Sequence, residues 1–229
     1  MPALESSLDA SSEAFENNRA DMQDLLETMN SLLAEAAEGG GPEATARLRS
    51  RNKIPIRERI AHVLDRDSPF LEISPLAAWR SPFAVGSGFV VGIGVIEGVE
   101  CLILGHDPSV RAGAFNQFNS KKLMRGLQIS RENRLPYIQF VESAGADLRG
   151  QGSDEDPEEA IQREIGHFAE SGRLFYEITE LSKIGIPTVS LVFGASTAGG
   201  AYQPGMSDYN ILIKNQSRVF LGGPPLVKM

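Results

Sequence analysis

Two apolar runs, LPYIQFV at 135–141 and IPTVSLVF at 186–193, constrain this chain more than any other feature. Both are near-continuous, as expected of strands buried on two faces, and such strands belong to parallel sheets covered by helices. Each gives way to small residues. Ser143-Ala144-Gly145-Ala146 follows the first; the second breaks off at Gly194 and leads into Thr197-Ala198-Gly199-Gly200-Ala201. Helical spacing between and around the runs supplies the cover, at 117–134 and at about 158–184, where Ile161, Ile165, Phe168, Leu174, Phe175, Ile178 and Leu181 recur. Upstream, FVVGIGVIEGVECLILGHD reads as two strands about a tight turn at Glu97-Gly98, and YNILI and RVFLG add short strands downstream. The pattern predicts an α/β protein with a mostly parallel sheet.

Residues 12–37 carry Phe15, Met22, Leu25, Leu26, Met29, Leu32 and Leu33 at helical spacing behind serines suited to a cap, and Gly39-Gly40-Gly41-Pro42 ends that helix. Its apolar stripe reads as a packing face, against this domain or another subunit. A second helical piece near 55–65 offers Ile56, Ile60, Val63 and Leu64, and RGQGSDEDPEE at 149–159 reads as a solvated surface loop.

At 229 residues and 41% hydrophobic, the chain can bury a core of one domain or two small ones. A formal charge of −8 argues against nucleic acid as the main partner, while leaving room for a local basic cluster to hold a small anion. No apolar stretch approaches the ~18 residues of a membrane span, so no membrane partner is expected. The acidic N-terminus resembles neither a signal nor a transit peptide, and the compartment reads as cytoplasmic. The single cysteine, Cys101, lies in an apolar run and reads as core; there is no CxxC pair, and no metal site is expected.

The two small-residue segments stand in equivalent places, each just past a strand. Glycine lets a backbone approach a ligand closely. A helix starting near Gly199 would turn its first, unpaired N–H groups outward, where they could hold an oxygen that gains negative charge during a reaction. Tight turning or close packing accounts for the same glycines equally well, and both readings stand. Gly194-Ala195-Ser196-Thr197-Ala198 departs from the G-x-S-x-G elbow at its last position, and only His62, His106 and His167 could serve a serine nucleophile. Ser196 therefore reads as a small turn residue. Gly86, Gly88, Gly92 and Gly94 lie within or before strands with no helix following, which disfavours a dinucleotide site. Arg111, Lys121, Lys122, Arg125, Arg131 and Arg134 read as solvated surface, with an anion-binding rim as the other reading. Glu142 is the one carboxylate at a strand end that could act as an acid or base.

GASTAGGAYQPGMSDYNILIKNQSRVFLGGPPLVK, together with RERIAHVLDRDSPFLEISPLAA, NRLPYIQFVESAGADLRGQ and HDPSVRAGAF, resembles the carboxyltransferase (β) subunit of biotin-dependent acyl-CoA carboxylases, most of all the methylcrotonyl-CoA type. The likeness covers roughly residues 45–229. It implies a crotonase-like spiral of strand-strand-helix units at 45–229, the acyl-CoA-binding domain, after an N-terminal helical segment at 1–44, with the family's second domain lying beyond the likeness. It further implies transfer of CO2 from carboxybiotin, carried on a partner, to an acyl-CoA whose enolate oxygen is held by the backbone N–H groups of Gly199 and Gly200. The substrate-contacting positions implied are Ala144, Gly145, Ala146, Ala198, Ala201, Arg111, Ala112 and Gly113. A biotin carboxylase and biotin carrier partner, and a homo-oligomer within a larger hetero-oligomer, come with the same likeness.

Carboxybiotin that has lost CO2 is basic enough to take the substrate proton, so the poverty in histidine fits. Ala144, Ser196, His106, Pro108, Ala112, Gln203 and Tyr209 depart from the usual family residues and leave the acyl group open. A chain ending at Met229 is expected not to transfer carboxyl groups alone. Three alternatives stand beside this reading: a decarboxylase subunit attached to a sodium-pumping complex, a crotonase-type hydratase using Glu142, and a non-catalytic interaction module.

Overall fold

The computed structural model describes residues 6, 8–147 and 172–223. Its helices are α1 (Glu13–Glu38), α2 (Gly41–Arg49), α3 (Ile56–Ala61), α4 (Gln117–Asn133), α5, described over 172–183, and α6 (Tyr202–Gly205). Its strands are β1 (Phe70–Glu72), β2 (Phe89–Ile96), β3 (Val99–His106), β4 (Tyr137–Ser143), β5 (Thr188–Thr197), β6 (Tyr209–Leu212) and β7 (Arg218–Phe220). They form one sheet in the order β1-β2-β3-β4-β5-β6, with β7 also on β5. The first three pair antiparallel; β3 to β6, and β7, pair parallel.

The β2–β3 hairpin turns at Glu97-Gly98, both at positive φ as a two-residue turn of this hand requires, and the Asp65 carboxylate accepts both of their N–H groups at 2.7 and 2.8 Å. The helix after it, α4, is fixed at its start by a reciprocal cap. Asn116 accepts the Phe118 and Asn119 N–H groups, and the Asn119 side chain accepts the Asn116 N–H. So β2, β3 and α4 make one strand-strand-helix unit.

The central strands are buried on both faces, with alternate residues meeting different cover. Val91, Leu102, Leu104 and Tyr137 face Leu123, Leu127, Ile178 and Leu181, while Val90, Ile103 and Phe140 face Ile56 and Ile60 of α3. Cys101 lies in the second of these clusters.

Some expectations need correcting. Strand β5 does not stop at Gly194 but continues to Thr197. The helix expected over 55–65 is shorter, Ile56–Ala61. Lys122 is buried, not solvated. Its Nζ donates to the Phe89 carbonyl at 2.7 Å and lies 3.6 Å from Glu72, and burial pushes its pKa down to about 8 despite that carboxylate. Only part of the α1 stripe packs on this domain: Phe15, Leu32 and Leu33 are half-buried and Ala36 is buried, whereas Leu25 is 66% and Met22 56% exposed. The loop at 149–159 and the first part of the helix expected at 158–184, with His167, lie outside the described residues.

Candidate active site

Three segments meet beyond the carboxyl ends of β3, β4 and β5: 111–116, 143–147 and 197–201. Main-chain hydrogen bonds tie the first two together. The Ala144 N–H donates to the Ala112 carbonyl at 3.1 Å, the Phe115 N–H to the Gly145 carbonyl at 2.8 Å, and the Asp147 N–H to the Phe115 carbonyl at 2.9 Å. Arg111 and Asp147 pair at 2.8 Å across the same seam. The third segment packs on the second. A Cβ on Gly145, which has φ +92°, would lie 3.2 Å from the Thr197 carbonyl oxygen, and one on Gly200 would lie 3.0 Å from the Ser143 Cβ. The structure thus brings together all ten residues singled out in the sequence, from Arg111-Ala112-Gly113 through Ala144-Gly145-Ala146 to Ala198-Gly199-Gly200-Ala201.

Three of the described non-glycine residues at positive φ fall in these segments. Arg111, Ala112 and Ala198 have φ of 47°, 55° and 50°, left-handed values that cost a residue with a Cβ about 1–2 kcal/mol. Non-glycine strain of this kind gathers at functional sites, where surrounding contacts hold it in place. Gly113 follows with φ 67°, and any Cβ there would overlap the Glu142 carbonyl oxygen.

Residues 198–201 form a single 3-10 turn that continues into α6. Ser196, fully buried on β5, donates its hydroxyl to the Gly200 carbonyl at 2.7 Å, so it braces the turn and presents no nucleophile. Among the described residues no backbone hydrogen bond joins the Gly199 N–H to another element, and as the second residue of the turn it has no partner within it.

The two glycines differ in one respect. Gly200 is required by packing against Ser143, with Phe115 also 3.7 Å from its missing Cβ. Gly199 has neither a positive φ nor any described atom within 4 Å of a Cβ. Neither turn nor packing explains it, and among the described residues nothing fills the space beside it.

No side chain with acid–base character is aimed into this space from the expected candidates. Residues 138, 140 and 142 of β4 face α3, whereas Tyr137, Gln139, Val141 and Ser143 face the other way, so Glu142 points away from Gly200. Its carboxylate meets Lys53 Nζ and lies 2.9 Å from Arg59 Nη1, which disfavours the hydratase reading. His106 is wholly buried, stacked 4.4 Å from the Phe89 ring and edge-on to Phe115. Burial pushes its pKa down to about 3, with the Glu142 backbone working the other way, so the ring is neutral. Lys121, Arg125 and Arg134 are exposed and Arg131 pairs with Glu177 at 3.1 Å, as solvated surface does. Lys53, Arg59 and Phe115 were not singled out in the sequence, and no local signal marks them, because what they touch lies far along the chain.

An α/β sheet whose parallel strands bring three segments rich in glycine and alanine together at their carboxyl ends has a crotonase-like arrangement. The chain belongs to the carboxyl transferase domain family, whose pattern it matches over residues 47–229. It is 49% identical over 226 residues to a Mycobacterium tuberculosis protein described as "Probable biotin-dependent acyl-coenzyme A carboxylase beta2 subunit", covering 99% of this chain and 40% of that one. It is 40% identical over 228 residues to the mitochondrial methylcrotonoyl-CoA carboxylase beta chain of Arabidopsis thaliana, covering 98% and 37%. The crystal structure of the Pseudomonas aeruginosa geranyl-CoA carboxylase beta subunit superposes with a TM-score of 0.84 at 36% identity, covering 98% of this chain and 40% of that one. The chain therefore spans about two-fifths of the length of the relatives it matches.

Proposed function

We propose that this chain is the carboxyltransferase component of a biotin-dependent acyl-CoA carboxylase, with 45–229 as its acyl-CoA-binding domain and 1–44 as a helical appendage. The observation that carries the reading is Gly199: an amide with no partner in its turn or from another described element, beside space that no described residue fills, in a glycine that the fold itself does not need.

A thioester whose carbonyl oxygen met the Gly199 and Gly200 N–H groups would have its developing negative charge held by fixed dipoles. Removing one such donor costs about 3 kcal/mol of transition-state stabilisation, or on the order of a hundredfold in rate. The segments 111–113 and 144–146 wall the pocket with Ala112, Gly113, Ala144, Gly145 and Ala146, small enough to let an acyl group reach those amides. Biotin, carried on a partner, supplies the carboxyl group and the base that removes the substrate proton. No residue of this chain is assigned to it, which agrees with Glu142 being turned away from Gly200 and with His106 being buried and neutral. A biotin carboxylase and carrier partner, and a larger oligomer, are part of this proposal; relatives named as beta subunits of a biotin-dependent carboxylase support it.

The test is incorporation of labelled bicarbonate into methylcrotonyl-, geranyl- and propionyl-CoA by the chain isolated with its biotin-bearing partner. Incorporation into one of them supports the reading. Release of CO2 from a carboxylated acyl-CoA without incorporation would favour the decarboxylase instead, and binding of no CoA thioester would leave an interaction module.

A further inference from the structure

We infer that Glu142, held by Lys53 and Arg59, is a positioning residue that sets the geometry of the three site segments from the far face of the sheet. The inference deepens the acyl-CoA reading and rests on it for the pocket's role, though not for the mechanical link.

The link is visible in five contacts. The Glu142 carboxylate meets Lys53, from the connection between α2 and α3, and Arg59 of α3. The contact with Arg59 Nη1 is one of charge without an aligned hydrogen bond. Arg59 is itself fixed: its Nε donates to the Ile54 carbonyl at 2.6 Å and its guanidinium lies 4.5 Å over the Phe193 ring. The carboxylate crosses β5 where the β4–β5 pairing shifts register, between Val141↔Val192 and Ser143↔Ser196, and it occupies the room that Gly194 leaves.

The main chain of Glu142 then carries this placement to the pocket. Its carbonyl oxygen abuts Gly113, the next residue Ser143 accepts the Gly145 N–H at 3.1 Å, and Ser143 is also what Gly200 packs against. One anchored residue therefore touches the first segment, immediately precedes the second and lies at the register shift from which β5 runs into the third. A buried charge left without partners costs more than its pairing contributes, so the anchor resists displacement.

Glu142→Gln keeps the volume and removes the charge. Hydrogen exchange read by mass spectrometry on the whole chain should rise about tenfold or more in peptides covering 111–116, 143–147 and 197–201, and stay unchanged in β2 and β3. In the carboxylase assembled with its biotin-bearing partner, kcat should fall about tenfold or more while KM for the acyl-CoA moves less than about threefold, because displaced donors spoil the transition state more than remote CoA contacts. Lys53→Met, a change at a partly exposed residue, should shift the same peptides in the same direction to a smaller extent and serves if Glu142→Gln does not fold. Exchange that rises uniformly, or not at all, in these variants overturns the inference, as does an unchanged kcat. If the wild-type enzyme turns over no acyl-CoA, the functional reading fails and the exchange pattern alone decides the mechanical link.

Discussion

A Cβ added to Gly194 would lie 2.5 Å from Oε1 of Glu142, a carboxylate already pinned by Lys53 and Arg59. In the sequence Gly194 marks the end of an apolar run. In the fold it sits mid-strand and is glycine because a neighbouring side chain crosses over it.

Gly194→Ala should therefore destabilise the protein by about 2 kcal/mol, the usual cost of overpacking where the neighbour cannot move aside. Urea unfolding measures it. A change below about 0.5 kcal/mol, within the range of ordinary surface substitutions, would show that the carboxylate can swing clear.

Ala112 and Gly113 are adjacent and both left-handed, yet they should respond in opposite directions. Ala112→Gly relieves a strained φ of 55° and should stabilise by roughly 0.5–1 kcal/mol after the added entropy of the unfolded chain. Gly113→Ala drives a methyl into the Glu142 carbonyl and should cost about 3 kcal/mol or more. Thermal melts of the two variants, compared with wild type, read the contrast directly.

His106 makes the native state sensitive to acid. Its folded pKa, pushed down to about 3, lies below that of an unfolded chain, so below about pH 6.5 the unfolded state takes up a proton that the native state refuses. The penalty is absent above neutrality and grows as pH falls from about 6.5 towards 3, reaching about 2 kcal/mol at pH 5. His106→Phe, which keeps an aromatic ring on Phe89, should flatten stability against pH between 7 and 5 by about that amount. Parallel curves for the two proteins would contradict the burial account.

Much of this was legible because it is local. The apolar runs of β4 and β5 declared a covered parallel sheet, Glu97-Gly98 declared the hairpin, and the small residues after each run marked two of the three segments that meet in the pocket. What could not be read depends on distant partners. A carboxylate at a strand end looks the same whether it faces a substrate or Arg59, which is remote in the chain. Lys122 looks like surface until β1 brings Glu72 to it. The extension of β5 past Gly194 likewise depends on β7, which pairs with Ala195, Ser196 and Thr197. The α1 stripe was readable as apolar, but helical spacing carries no information on what covers it.

The account stands on the space beside Gly199 being a thioester's place. Isothermal titration of the chain with methylcrotonyl-, geranyl- and propionyl-CoA, repeated on Gly199→Val, tests it most directly. The account predicts saturable binding of at least one thioester by the wild type, and an affinity at least about tenfold lower in the variant. The melting temperature should stay within a few degrees, since the added side chain meets no described atom within 4 Å of its Cβ. Equal binding by both proteins, with the variant fully folded, would contradict it.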